Sequence, residues 1–388
     1  MTIKKQLLQL FKDTFNIEPD KFFISHGRME IIGNHTDHNH GKCMSARCDK
    51  AIYALVQKSN DNIVEFYSKG HNHIKVHLDD LDYKENEKGT SAALVRGVLK
   101  YLSDKNFKLK AFKAVSLSTI PSGSGLSSSA AFETIIGNII NHYANEEKID
   151  KVTIAKAGQF AENIYFGKSC GLLDQISVVY PAVKFIDFKN IESPVVETIS
   201  FPFDLKIALV NTKGSHAGLD GEYSSIPEGM KNAANKLGVN YLRETDKNTL
   251  NENKNRLNDR EYALSSHFFE ENERVDMVYE SIKNKDIETF KTNINASCDS
   301  STNKLQNTML REYEDSPLQA IEYARSIDNK ITTKLNGGGF KGTVINFINS
   351  EDYDVVLNKL KSRFGDQVIE VSIDNDGKDY YSLDEFDW

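Results

Sequence analysis

Long apolar runs are missing from this chain of 388 residues: nowhere do about 18 such residues follow one another, so no membrane span is expected. Basic charge is in deficit, with 48 Lys and Arg against 56 Asp and Glu. The net charge of −8, with no basic stripe between aromatics, argues against a nucleic-acid partner. Cysteines are scarce. The four present, Cys43, Cys48, Cys170 and Cys298, show no CxxC spacing, which points to a reduced, cytoplasmic home. The opening MTIKKQLLQLFKDTF alternates charge and bulk like an amphipathic surface helix and lacks the apolar block of a signal peptide. Internal repeats are absent too.

What is present is the composition of a soluble globular protein, 39% hydrophobic and 27% charged, long enough to bury two sizeable cores. Alternation at Ile74, Val76 and Leu78 predicts a half-exposed strand, and AFKAVSLSTI (111–120) predicts another that ends at Pro121. The 3.6-residue period of Phe132, Ile135, Ile136, Ile139, Ile140 and Tyr143 predicts a buried helix from near Ser129. A second helix is expected over about 153–166, with Ile154, Ala157, Ala161 and Ile164 inward. After KIALVNT (206–212) helices dominate, over roughly 224–240, 259–284, 286–297 and 316–327, followed by β-like GTVINFI and QVIEVSI. The polar stretch 244–260 reads as a solvated loop or frayed helix end. Both halves are α+β layers, with the boundary placed so that the domains are 1–199 and 200–388.

Between the strand and the buried helix lies PSGSGLSSSAA (121–131), a glycine turn feeding three serines into a helix N-terminus. The first amides of a helix have no internal partner, and its macrodipole adds roughly half a positive charge there. Gly123 and Gly125 would let the backbone approach a phosphate, and the hydroxyls could donate to it or ligate Mg²⁺. A simple N-cap needs one hydroxyl, not three. No lysine follows, so this is not a Walker A loop.

This loop resembles the ATP-phosphate loop of the GHMP small-molecule kinases, and its triple serine is closest to the galactokinase branch. Three further stretches carry the same resemblance in the family's order: HGRMEIIGNHTDHNHGK (26–42), AENIYFGKSCGLLDQIS (161–177) and LNGGGFKGTVINFI (335–348). The resemblance implies a two-domain GHMP kinase fold with a mixed α/β N-terminal domain and a ferredoxin-like α+β C-terminal domain. It implies an ATP- and Mg²⁺-dependent kinase acting on the C1 hydroxyl of galactose or a closely related hexose. ATP would lie on Gly123, Ser124, Gly125, Leu126, Ser127, Ser128 and Ser129, and the metal on Ser129 and Glu162. Asp174 would be the base, with Arg28 holding it ionised and offsetting phosphoryl charge. Asn34, His35, Asp37, Asp174 and Tyr223 would hold the sugar. Asn34 stands where galactokinases carry a glutamate, His38 replaces a tyrosine and Lys341 a glycine, so the sugar could instead be an N-acetylated or uronic hexose.

Two other readings exist. HTDHNH packs His35, Asp37, His38 and His40 into six residues, a set that could suit Zn²⁺ in a hydrolase, but the serine loop would then have no role. A galactokinase-like regulator that binds ATP and sugar without turnover is the other. Retention of Ser129, Ala130 and Asp174 favours catalysis.

Overall fold

The computed structural model describes residues 2–212, 220–308, 316–340 and 342–385. Among these, twelve strands form two sheets. The larger contains β1 (Lys21–Ile32), β2 (Lys42–Lys58), β3 (Ile63–Ser68), β4 (Ile74–His77), β5 (Phe112–Ser118), β6 (Val183–Asp187) and β7 (Val195–Ile199). The smaller is antiparallel, in the order β11 (Val368–Val371), β8 (Leu205–Asn211), β10 (Thr343–Asn349), β9 (Thr332–Asn336). The last strand, β12 (Tyr380–Tyr381), returns to the first sheet and pairs with β1. Arg47, wholly buried, fixes that return through Asp374 at 2.6 Å and Asp379 at 2.9 Å.

β2 is long enough to serve two neighbours along one edge. Residues 52–58 pair with β5 and residues 42–46 with β6, while β1 takes the opposite edge. β1 itself is buried almost throughout, because helices cover one face and the second half of the chain the other. Two bulges interrupt its pairing, between His26 and Arg28 and between Glu30 and Ile32. Bulges re-aim side chains, and here they flank Arg28 and Glu30.

The helices are α1 (Ile3–Phe15), α2 (Ser91–Asp104), α3 (Ser128–Asn145), α4 (Lys151–Phe160), α5 (Leu173–Val179), α6 (Asp220–Lys236), α7 (Lys247–Glu252), α8 (Asp259–Asn284), α9 (Ile287–Ser300), α10 (Pro317–Ile327) and α11 (Tyr353–Phe364). α3 begins at Ser128 and buries Ile135, Ile136, Ile139 and Ile140, as its period predicts. α8 starts with a reciprocal cap between Asn258 and Glu261.

The fold departs from expectation at three places. A π-helical turn (Ala161–Phe166) extends α4, and its wider winding rotates the end of the helix. Ile164 is thereby 55% exposed instead of inward, and Tyr165 packs in its place. The polar stretch 244–260 contains α7, whose Leu250 is wholly buried against Leu242 and Leu264. The expected pair of separate cores is also incomplete. The largest apolar cluster is continuous from Met29 and Ile31 through Ile135 to Val275, Phe290 and Phe347, so the two sheets share it.

Candidate active site

The serine loop joins β5 to α3 and is gripped from both halves. Arg28 N donates to the Leu126 carbonyl at 3.0 Å, and Arg28 Nη1 to the Gly125 carbonyl at 2.5 Å. From the second sheet, Asn336 Nδ2 reaches the same Gly125 carbonyl at 3.1 Å, and Thr343 Oγ1 donates to the Ser124 carbonyl at 2.5 Å. Gly123 and Gly125 sit at φ 67° and 66°, a region that glycine enters without the Cβ penalty. Ser127 shares this left-handed conformation at φ 58° despite its side chain. Its hydroxyl makes no cap to α3 and donates instead to Asp174 Oδ2 at 2.6 Å. Backbone strain held in place by a functional contact is characteristic of active sites. Ser128 and Ser129 occupy the first turn of α3, whose free amides face the loop end.

Asp174 lies in the first turn of α5. Arg28 Nε and Nη2 lie 2.8 and 2.7 Å from its Oδ1, while Arg28 itself is buried. Desolvation pushes the Asp174 pKa up; the Arg28 guanidinium and Ser127 hydroxyl pull it down, and the pull wins. The carboxylate is therefore ionised at neutral pH, with its side chain 35% exposed. The other end of α5 is fixed by Lys184, wholly buried, whose Nζ donates to the carbonyls of Ser177 at 2.6 Å and Tyr180 at 2.8 Å.

Glu162 sits on the π-helical turn. Its Oε1 accepts from Ser129 Oγ at 3.2 Å and from Lys168 Nζ at 3.0 Å, and its Oε2 from Gln175 at 3.0 Å. The same Gln175 amide donates to Glu133 at 3.1 Å. Burial first, and the charge of Glu162 second, lift the Glu133 carboxyl well above its ordinary range. One hydroxyl and one carboxylate at the mouth of a phosphate loop fit Mg²⁺, which keeps waters and takes its other ligands from phosphates.

A second group surrounds the turn after β1. The His35 ring lies 5.3 Å from Tyr223 and 5.7 Å from His38, and His38 Nε2 lies 3.6 Å from Asp37 Oδ1. His35 Nε2 bonds to the Gly338 carbonyl at 2.8 Å, so the proton must be on Nε2, and the buried Nδ1 has no partner. Burial holds the ring neutral, with a pKa lowered to about 3. Tyr223 keeps a third of its surface exposed, yet loss of water and then the carboxylates Asp37, Asp174 and Glu30 raise its phenol. Its ring lies so close to Gly338 that a Cβ there would sit 2.1 Å from Tyr223 Cε2.

Asn34 does not join this group. It is 1% exposed, and its Nδ2 donates to Glu30 at 3.1 Å and to the Gly337 carbonyl at 2.7 Å, while Oδ1 accepts from Asn307 at 2.8 Å. Position 34 is a junction between the two halves, contrary to the expectation of a sugar ligand. Glu30 also pairs with the wholly buried Lys334 at 3.0 Å. Lys341 lies outside the described residues. The metal reading of HTDHNH fares no better. His40 stacks on Tyr241 at 3.7 Å, and among the described residues no group of three or more His, Cys, Asp and Glu could hold a metal.

Comparison with known proteins accords with this arrangement. Residues 9–58 match the family described as galactokinase galactose-binding signature, and residues 93–181 match the GHMP kinases N terminal domain. Both matches fall on segments similar to galactokinases and other GHMP kinases. Among its relatives, the galactokinase of Lactobacillus helveticus is 27% identical over 361 residues, covering 90% of this chain and 91% of that one. The galactokinase of Clostridium acetobutylicum is 28% identical over 383 residues, with 95% of each covered. The Lactococcus lactis galactokinase structure, solved with galactose, superposes at a TM-score of 0.85 with 21% identity, covering 98% of this chain and all of that one. A Methanococcus jannaschii mevalonate kinase superposes at 0.65 with 17% identity, covering 91% of this chain and 98% of that one. A phosphotransferase of this family needs a phosphate cradle and an acceptor-orienting carboxylate, and the sequence named candidates for both. It missed Asn336, Thr343, Lys168, Gln175 and Glu271. Lys168 and Gln175 lie within a stretch already singled out, whereas Glu271 carries no motif.

Proposed function

We propose that this protein transfers the γ-phosphoryl group of ATP to the C1 hydroxyl of galactose or a closely related hexose, in the cytoplasm. The observation that supports the reading is the Arg28–Asp174–Ser127 contact at the N-terminus of α3, a carboxylate with a lowered pKa beside the serine loop. In this reading Gly123 to Ser129 cradle the phosphates with loop amides and the first turn of α3. Ser129 and Glu162 would hold Mg²⁺, which would supply charge neutralisation to the phosphates. Asp37, His35 through its free Nδ1, and Tyr223 hold the sugar, and residues 1–199 and 200–388 each contribute one wall.

Asp174 accepts a hydrogen bond from the C1 hydroxyl and aims its oxygen at the γ-phosphorus. The new O–P bond forms as the bond from the γ-phosphorus to the β–γ bridging oxygen breaks, ADP leaves, and the hydroxyl proton passes to Asp174. A carboxylate held below its ordinary pKa is a weak base, so Asp174 works by orientation and takes the proton late. A loose transition state requires no more. Arg28 keeps Asp174 ionised and offsets charge on the transferring group.

The test is ATP consumption across a panel of free sugars, with the product's phosphate position read by NMR. Galactose 1-phosphate as the main product is expected. Absence of turnover with every hexose, or a phosphate at another carbon, overturns the reading.

A further inference from the structure

Lys168 has no role in the reading above, yet it occupies the cation position of the same site. Its ammonium lies 3.0 Å from Glu162 Oε1, the oxygen that also accepts from Ser129 Oγ. Two bonds to one atom put the ammonium within two hydrogen-bond lengths of Ser129, at the mouth of the serine loop. The burial of the pair is lopsided: Glu162 is 4% exposed and Lys168 64%. Backbone amides of Gly167 and Lys168 both donate to the Glu162 carbonyl at 3.0 Å, so the main chain is anchored while the side chain reaches through water. A buried anion needs a cation beside it, and an exposed ammonium is one that another cation can replace.

We propose that Lys168 is a phosphate-binding residue: it neutralises Glu162 when the cleft holds no nucleotide, and shifts to the terminal phosphate oxygens of ATP when Mg²⁺ takes its place. This rests on the assignment of Ser129 and Glu162 as metal ligands. A divalent cation on Glu162 repels the ammonium, and the nearest uncompensated anion is the nucleotide on the serine loop, within reach of a flexible four-carbon stem. The exchange keeps Glu162 compensated at every stage, which a buried carboxylate requires.

The test uses Lys168→Met, Lys168→Arg and Glu162→Gln in the full chain. Binding of a non-hydrolysable ATP analogue is followed by calorimetry with and without Mg²⁺, Mn²⁺ binding to the nucleotide-free protein by electron paramagnetic resonance, and turnover by steady-state kinetics. Lys168→Met is expected to raise the KM for ATP and weaken Mg²⁺-dependent binding of the ATP analogue by about tenfold, and to leave its metal-free binding and the sugar KM within about twofold. It should also tighten Mn²⁺ binding, because the competing ammonium is gone, and Lys168→Arg should restore nucleotide affinity. If the affinity for the ATP analogue with Mg²⁺ and the ATP KM of Lys168→Met stay within about twofold of wild type, the inference falls. Glu162→Gln separates the two readings. Loss of Mn²⁺ binding there, with Lys168→Met unchanged, overturns Lys168 alone; retained Mn²⁺ binding and turnover overturns the metal assignment itself.

Discussion

Glu271 lies far from the serine loop in sequence, yet it anchors the turn that leads to His35 and Asp37. It sits wholly buried on α8, where Oε1 accepts from the backbone amides of Gly33 at 3.0 Å and Asn34 at 3.3 Å and from Ser297 Oγ at 2.5 Å. Its Oε2 accepts from Arg274 Nε at 2.8 Å. Burial opposes the charge, but Arg274, His267 and Ser297 outweigh it and lower the carboxyl pKa from 4.5 to about 2. A group that ionises near 2 in the fold and near 4.5 in the open chain contributes about 3 kcal/mol at neutral pH. Because the folded value is depressed, the contribution is complete above pH 4.5 and is lost as the pH falls toward 2. About 1 kcal/mol of it is gone by pH 4. Glu271→Gln keeps an acceptor for the Gly33 and Asn34 amides but removes the charge opposite Arg274. Urea unfolding should show the variant about 3 kcal/mol less stable at pH 7, with the gap narrowing by about 1 kcal/mol at pH 4. The sugar KM should rise by about tenfold with the ATP KM little changed, because the turn leading to His35 and Asp37 loosens. A variant within about 1 kcal/mol of wild type at pH 7, or a gap independent of pH, would refute the argument.

Asp174→Asn preserves shape and removes charge, so kcat should fall by about 10³ or more while calorimetric affinities for ATP and sugar stay within about threefold. Retention of a tenth of wild-type kcat rules out the role assigned to Asp174. Burial and the charge of Glu162 push the Glu133 carboxyl toward its neutral form, so Glu133→Gln should cost under about 1 kcal/mol in a thermal melt, whereas Gln175→Glu, which adds a third carboxylate, should cost more than about 2 kcal/mol. Asn34→Glu sets a second buried carboxylate against Glu30 and should destabilise the fold by about 3 kcal/mol rather than redirect it to another hexose; a stable variant with a new sugar profile shows that position 34 faces substrate. The π-helical turn makes Ile164→Asp nearly neutral, within about 0.5 kcal/mol, and Tyr165→Ala costly by about 3 kcal/mol, and urea midpoints in the reverse order would return the turn to α-helical winding.

The legible parts of this chain are those that depend on near neighbours. The start of α3, the strand β5 shortly before Pro121 and the long helix α8 follow from period and turn chemistry within a dozen residues. Illegible features depend on distant partners. Asn34 meets Gly337 and Asn307, about 300 and 270 positions away, and those contacts convert an apparent sugar ligand into a structural junction. Leu250 reads as solvated in its polar surroundings and is buried only because Leu242 and Leu264 close over it. The π-helical turn inserts an extra residue that an α period cannot register, so Ile164 and Tyr165 exchange faces. Lys168 is a plain lysine in sequence; only the placement of Glu162 and Ser129 gives it a site.

The serine loop also explains why motifs so widely spaced belong to one device. A loop rich in glycine and serine has little side-chain packing to fix it, and a phosphate cradle must be rigid before its ligand arrives. Here rigidity is supplied through backbone carbonyls. The signature strand holds Gly125 and Leu126 through Arg28, and the glycine-rich third motif holds Gly125 and Ser124 through Asn336 and Thr343. Arg28 then carries the same order to Asp174, so the serine loop and the Asp174 carboxylate move as one body. Separation of the two halves would therefore disorder the cradle and release Asp174 together, which ties the precision of transfer to the shared core from Met29 to Phe347.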